Sequence, residues 1–400
     1  MAQYLELVAL FFIQGAAIGM WFVPLSNVLD AHGLNEIRPY AFAASAMAAF
    51  VSPLIFGAMA DRHASPVKVL RGLALATALT MALTCAAIQT HANAWLVLAL
   101  IQLHALCSSP TWSIASSIVF ARVSDARKEF GPIRAMATLG WMAGCLTVSL
   151  LNADASTLAG YGGAIMWLMV CALTFFMPAT APKAATHLKW FERLGLDALM
   201  LLKIRDHRVV FITTVLLSIP LTAFYPYAPL HLRDLGLKHT SAWMTLGQVP
   251  EIFAMFALGA LLVKWRLKWI FACGLAFSVA RFAFSAINTQ TWLVFGVFLH
   301  GVSYTLVFIT AQIYLDQRVD TAWRTRAQAL LSVLNGGVGN LLGYLGTGWW
   351  FSECAQSTGT RWPLFWSVIS IFVALLLGYF LIAYRGQGTK KLETTGNSSA

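Results

Sequence analysis

Three ionisable side chains stand inside long apolar stretches of this sequence: Arg134, Glu251 and Arg281. Placing such a group in hydrocarbon costs about 2.5–3.5 kcal/mol on insertion scales, so positions that keep one are candidates for function. Arg134 is followed by Thr138 and Trp141, at i, i+4 and i+7, which sets a guanidinium, a hydroxyl and an indole on one helix face. That face suits a polar ligand carrying a ring: the indole stacks and the other two groups hydrogen-bond. The plainer alternative for Arg134, near the start of its run, is snorkelling to the membrane surface. Gln248 and Glu251 are three apart and also face one way, with Pro250 between them removing a backbone donor. Glu251 is the expected proton carrier, because a carboxyl inside the bilayer can load and release a proton. A structural ion pair with Arg281 is the alternative for both residues. Thr222 and Tyr225 add polar groups from the preceding run. His104, Gln14 and Trp21 are expected to be packing residues.

Nothing in the sequence suggests catalysis. There is no Ser/His/Asp set, no Gly-rich phosphate loop followed by Lys, and no metal-spaced His/Cys cluster. Cys85, Cys107, Cys145, Cys171 and Cys273 lie within apolar runs and Cys354 falls in a predicted loop, so no disulfide or metal site is expected. No cofactor is expected. No nucleotide-binding domain is evident, which leaves an ion gradient, most simply protons, as the energy source.

The elements that position these groups follow from composition. Of the 400 residues, 59% are hydrophobic and 11% charged, whereas a soluble domain carries about 25% charged residues to face water. A span needs about 20 apolar residues. Apolar runs fall near 5–29, 39–60, 69–89, 94–121, 132–152, 160–178, 209–231, 241–263, 268–287, 291–315, 326–350 and 362–384. They are too long for strands and hold too few polar residues for soluble amphipathic helices. Helices that satisfy their own backbone remain, and an all-α membrane protein of twelve spans is predicted. Residues 1–12 lack a basic n-region and a small-residue cleavage site, and read as the start of a retained first helix.

Basic residues set the orientation. Of the 27 Lys and Arg, only Arg38, Arg233, Lys238 and Arg361 fall in one set of alternating gaps, and only Arg134 and Arg281 inside runs. The rest occupy the other gaps and the tail, which predicts both termini to be cytoplasmic. The net charge of +11 is then loop charge beside membrane lipids, and no nucleic-acid partner is expected. The longest gap, 179–208, divides the chain into six-helix halves, 1–178 and 209–385. Its part from His187 to Arg208 suits either a helix lying on the inner leaflet or a linker with helical bias. Residues 386–400 read as a disordered tail. The halves echo each other: Gly57 and Gly72 match Gly259 and Gly274 in spacing, Ala94-Trp95-Leu96-Val97 matches Thr291-Trp292-Leu293-Val294, and Arg134-Ala135 matches Arg326-Ala327. Tandem repeats of this kind suit a transporter whose halves rock about a central site.

Gly57-Ala-Met-Ala-Asp61-Arg62, with Lys68 and Arg71 following, resembles the loop motif of the major facilitator superfamily. A closer resemblance is to bacterial nucleoside:proton symporters. It is carried by Gly131-Pro132-Ile133-Arg134 with Thr138-Leu139-Gly140-Trp141, and by Leu194-Gly195-Leu196-Asp197-Ala198. Gln248-Val249-Pro250-Glu251, His300-Gly301-Val302-Ser303-Tyr304 and Arg326-Ala327-Gln328 continue it in order along nearly the whole chain. The resemblance implies the major facilitator fold, with Gly57, Asp61 and Arg62 in an inner gate. It implies proton-coupled uptake of a nucleoside by alternating access, through a monomer of the bacterial inner membrane. Arg134, Thr138, Trp141, Gln248, Glu251, His300, Tyr304, Thr222 and Tyr225 would then contact the solute, and Glu251 with Arg281 would couple protons. His300 and Tyr304 occupy the family's aromatic pair, while Thr305 stands where many relatives carry a carboxylate. Competing readings are a symporter of the same fold for an aromatic acid or sugar, and a non-transporting sensor or scaffold; short loops argue against the latter.

Overall fold

A long apolar segment can bury its amides in hydrocarbon only by coiling into a helix, and this chain does so repeatedly. The structure, a computed structural model, describes residues 2–62, 65–178 and 194–386, with backbone alone for 2, 52–62, 126–128 and 322. Eleven of its helices are long and apolar enough to cross a membrane. In chain order the helices are α1 (Gln3–Ala31), α2 (Arg38–Arg62), α3 (Pro66–Gln89), α4 (Ala94–Phe120), α5 (Glu129–Leu150) and α6 (Leu158–Phe176). They continue as α7 (Arg205–Asp234), α8 (Thr240–Lys264), α9 (Leu267–Ala286), α10 (Gln290–Arg318), α11 (Trp323–Cys354) and α12 (Trp362–Ala383). The eleven are these without α2, which is 25 residues long. The ends follow local chemistry. Pro66 opens α3, and Asn93 caps α4 by accepting the Trp95 N–H at 2.9 Å.

Among the described residues two large hydrophobic cores form, beside two small clusters. One gathers Leu10, Phe42, Met81 and Trp167 from α1, α2, α3 and α6; the other gathers Phe211, Phe271, Phe365 and Phe380 from α7, α9 and α12. Close approach of helices replaces large side chains where α1 meets α5. Gly15 and Gly19 on α1 lie against the backbone of Ala137 and Trp141, while Gly140 and Gly144 on α5 lie against that of Phe12 and Ala16. Each helix thus carries two glycines four apart, the spacing that lets membrane helices touch along one face. Gly339 and Gly343 on α11 make the same approach to α7 at Val215 and Ile219.

Helices α1, α4 and α7 are each interrupted, near Pro24, Pro110 and Thr222, and α10 contains a π-helical turn at Thr305–Ile309. A second π-helical turn, Val333–Gly339, lies in α11. Such turns let a helix deform where function asks it to.

Bonds between α1–α6 and α7–α12 gather at the end that holds the α1–α2, α5–α6 and α7–α8 connections. Asp30 binds Arg38 at 2.9 Å and reaches across to Arg233 at 2.6 Å. Ser26 donates to the Pro226 carbonyl, and Asn27 donates to Thr240 Oγ1. Helix α8 takes its N-terminal cap from the other set: Asp154 accepts the Ser241 N–H at 2.6 Å, and Ser149 Oγ accepts that of Ala242 at 2.9 Å. At the opposite end the bonds of Arg71 to Thr174 and Arg205 to Ala383 each stay within one set, and Arg326 binds Asp197 of the segment that joins the sets. Asp30 is therefore a latch. Asp30→Asn is expected to favour parting of this end about fivefold, the weight of an ion pair worth about 1 kcal/mol. A rise in the labelling rate of a cysteine placed at Asn27 measures it; an unchanged rate removes Asp30 from the latch.

One expectation from the sequence changes. Cys354, predicted in a loop, is the last residue of α11 and is fully buried, because α11 runs on for four residues beyond the predicted run. The described part of the 179–208 segment holds a 3-10 helix, Leu196–Lys203, with Ala198 and Leu201 buried, followed by the first turn of α7 from Arg205. It is tied to α11 by Arg326 and Asp197 at 2.6 Å, so it docks on protein. Residues 179–193, and the tail from 387, lie outside the described residues, as do the side chains of the gate motif; Gly57, Asp61 and Arg62 sit on the last part of α2.

Candidate functional site

Polar residues on six helices converge on one cavity of about 470 Å³, within the roughly 300–1,000 Å³ of small-molecule sites. Two larger hollows lie elsewhere, around Trp265, Trp269, Phe253 and Phe277, but apolar side chains dominate their walls on the outer faces of α8 and α9. The central cavity differs in chemistry and in drawing on both cores.

From α5 come Arg134, Thr138 and Trp141, the face expected from their spacing. The Arg134 guanidinium lies 4.4 Å above the ring of Trp112 on α4, a contact that holds a cation without a carboxylate. From α7 come Thr222 and Tyr225. The Thr222 hydroxyl donates to the Ile219 carbonyl at 2.6 Å, which leaves it only as an acceptor. Tyr225 packs edge-on to Trp141 at 5.7 Å and to Phe22 at 5.3 Å, so Trp141 and Tyr225 form an aromatic wall.

From α8 come Gln248 and Glu251. Helix α10 brings His300 and Tyr304 beside them, because Gly301 has no side chain to keep the helices apart. A Cβ at Gly301 would lie 2.3 Å from the Gly247 carbonyl oxygen and 2.5 Å from the Glu251 nitrogen. Glu251 is the cavity's one carboxyl. Among the described residues it makes no hydrogen bond and no ion pair within 4 Å, and the charge that faces it is that of Arg134.

All nine proposed solute contacts therefore line one cavity. Arg281 does not. It is 2% exposed behind His300 and donates from Nη1 to His300 Nδ1 at 2.6 Å, so the anticipated pairing with Glu251 is not made. His300 in turn stacks on Phe224 at 4.1 Å. Gln14 donates to Thr111 Oγ1 at 2.7 Å, and the Trp21 ring meets His104 at 6.2 Å, both away from the cavity.

The sequence reading missed Trp112, Ser218, Phe308, Asn335, Asn340 and Tyr344, which also line the cavity. The Asn335 Oδ1 is buried without a hydrogen-bond partner, the condition of an acceptor awaiting a ligand or water. A signal was available: Asn335-Gly336-Gly337 and Gly339-Asn340 interrupt an apolar run with groups that hydrocarbon disfavours.

Residues 1–389 match the family described as Nucleoside H+ symporter. The chain is 34% identical over 397 residues to YegT of Escherichia coli (strain K12), covering 94% of this chain and 92% of that one. It is 23% identical over 407 residues to the nucleoside permease NupG of the same organism, covering 95% and 96%, and 23% identical over 411 residues to its xanthosine permease, covering 96% of each. Two crystal structures of nucleoside transporter NupG superpose with TM-scores of 0.89 and 0.86 at 22% identity, each covering 96% of this chain and 100% of that one.

Proposed function

Because this chain belongs to the nucleoside H+ symporter family, we propose that it is a secondary active transporter that takes up nucleosides with protons by alternating access. The observation that carries the reading is the central cavity, where a guanidinium, a carboxyl, amides and an aromatic wall meet from both sets of helices. Twelve spans form two six-helix bundles, 1–178 and 209–385, joined by the 179–208 segment, with both termini cytoplasmic in the bacterial inner membrane. The latch around Asp30 then closes the outer end, and the cavity opens inward. The base lies against Trp141 and Tyr225, with Arg134 and Thr138 on its edge, while Gln248, Asn335 and Asn340 supply the paired donors and acceptors that a sugar's hydroxyls need. Glu251 carries the proton. As a neutral acid it crosses with the solute, and once open to the cytoplasm it releases the proton towards a cavity already holding Arg134.

The test is uptake of uridine or adenosine into proteoliposomes with an imposed pH gradient, acid outside. Accumulation of either is expected, and failure of both sinks the nucleoside assignment. In the same assay Arg134→Lys is expected to raise KM about tenfold with little change in maximal rate, because Lys keeps the charge but loses the planar fork and its contact with the Trp112 ring. An unchanged KM removes Arg134 from the solute contacts.

A further inference from the structure

We infer that Arg281 is a positioning residue: it holds His300 in one neutral tautomer, so that the cavity presents Nε2–H as a fixed donor to a hydrogen-bond acceptor on the solute, a carbonyl oxygen or ring nitrogen. The inference rests on the cavity being the solute site. A guanidinium has only donors. With Arg281 Nη1 at 2.6 Å from His300 Nδ1, that ring nitrogen must accept, and the ring's single proton must sit on Nε2. A doubly protonated ring would set N–H against N–H and cation against cation.

The arrangement leaves the imidazole little freedom. Phe224 stacks on it at 4.1 Å, with 14° between the planes. The Arg281 guanidinium is itself held between the rings of Phe224 at 4.5 Å and Phe282 at 4.7 Å. Among the described residues no carboxylate lies within 4 Å of Arg281, and its guanidinium is met by the two rings and by His300. His300 lines the cavity, and its Nε2 has no protein partner among the described residues.

A fixed donor discriminates more sharply than a hydroxyl that can rotate, because a solute group able only to donate leaves both partners unsatisfied. The charged and titratable groups around His300 are Arg281 on α9, Arg134 on α5, Tyr225 on α7, Glu251 on α8 and Tyr304 on α10. Of these, Arg281 alone touches Nδ1.

The test reads the tautomer directly, from two-bond ¹H–¹⁵N spectra of protein labelled at histidine, with His300→Gln assigning the signal. Wild type is expected to show Nε2–H across pH 5.5–8. Arg281→Met, which removes the donor facing Nδ1, is expected to show a mixture of Nδ1–H and Nε2–H tautomers, and Arg281→Lys, which keeps a cationic donor, to restore the wild-type spectrum. An Nδ1–H or doubly protonated wild-type ring at pH 6, or an Arg281→Met spectrum like wild type, overturns the inference. Nucleoside binding without a gradient reads the consequence. His300→Ala is expected to weaken it about tenfold, and Arg281→Met about twofold, since the donor is then present in only part of the molecules, with Arg281→Lys binding like wild type. Unchanged binding in both His300→Ala and Arg281→Met overturns the positioning role. If wild type binds no nucleoside, the cavity's assignment falls, and the spectra still decide the tautomer.

Discussion

Glu251→Gln abolishes accumulation against a pH gradient while exchange of labelled for unlabelled solute continues. One pH unit is worth about 1.4 kcal/mol per proton, which coupling at one proton per solute converts into about tenfold accumulation. Without coupling, the internal concentration only equals the external one. Glutamine keeps the shape and one donor of the protonated acid but has no proton to release, so binding and passage survive and the gradient loses its handle. Glu251 is singled out by being the cavity's one carboxyl, by lying where Gly301 brings α8 and α10 into contact, and by lacking an ion-pair partner within 4 Å among the described residues. Thr305 has a buried hydroxyl oxygen with no hydrogen-bond partner and starts the π-helical turn of α10. It offers no second proton site. Continued tenfold accumulation by Glu251→Gln would place the coupling group elsewhere.

Gly140→Leu destroys the fold. A Cβ at this position would stand 1.9 Å from the Phe12 carbonyl oxygen, and both partners are helix backbone, which cannot turn aside as a side chain can. Helices α1 and α5 would have to separate along the whole face held by Gly15, Gly19, Gly140 and Gly144. Overpacking of this severity costs about 3 kcal/mol or more, a large part of a typical stability. The expected result is loss of monodisperse protein after detergent extraction, with Gly140→Ala already lowering the melting temperature. Gly346→Ala and Gly378→Ala are the controls, since a Cβ at either meets nothing within 4 Å. A Gly140→Leu protein that melts like wild type would show that the close approach carries no stability.

The parts of this molecule legible in the sequence are those governed by local spacing. Run length and charge gave the helices, and i, i+3 and i+4 relations placed Arg134 with Thr138, and Gln248 with Glu251. What sequence could not supply was register between helices. Arg281 looked like a partner for Glu251 because both are charges in apolar runs; only the packing of α9 on α10 sets it against His300 instead. Asn335 and Asn340 lie in and just after a π-helical turn that no periodicity announces, so spacing alone does not put them on the cavity wall. The four glycines between α1 and α5 were visible as two pairs four apart, but a pair has significance only once its partner helix is known. Nor do Ser149 and Asp154 look like a helix cap, since the helix they cap begins some ninety residues later.

That borrowed cap has a temporal consequence. While the end around Asp30 is shut, the amides of Ser241 and Ala242 are bonded to the other half of the molecule and protected from exchange with solvent. When the halves part there, the Ser241 amide meets water, while that of Ala242 keeps its bond to the His239 carbonyl. The Ser241 N–H thus acts as a clock: its hydrogen-exchange protection measures the fraction of each cycle that this end of the carrier spends closed, with no label added and no solute consumed.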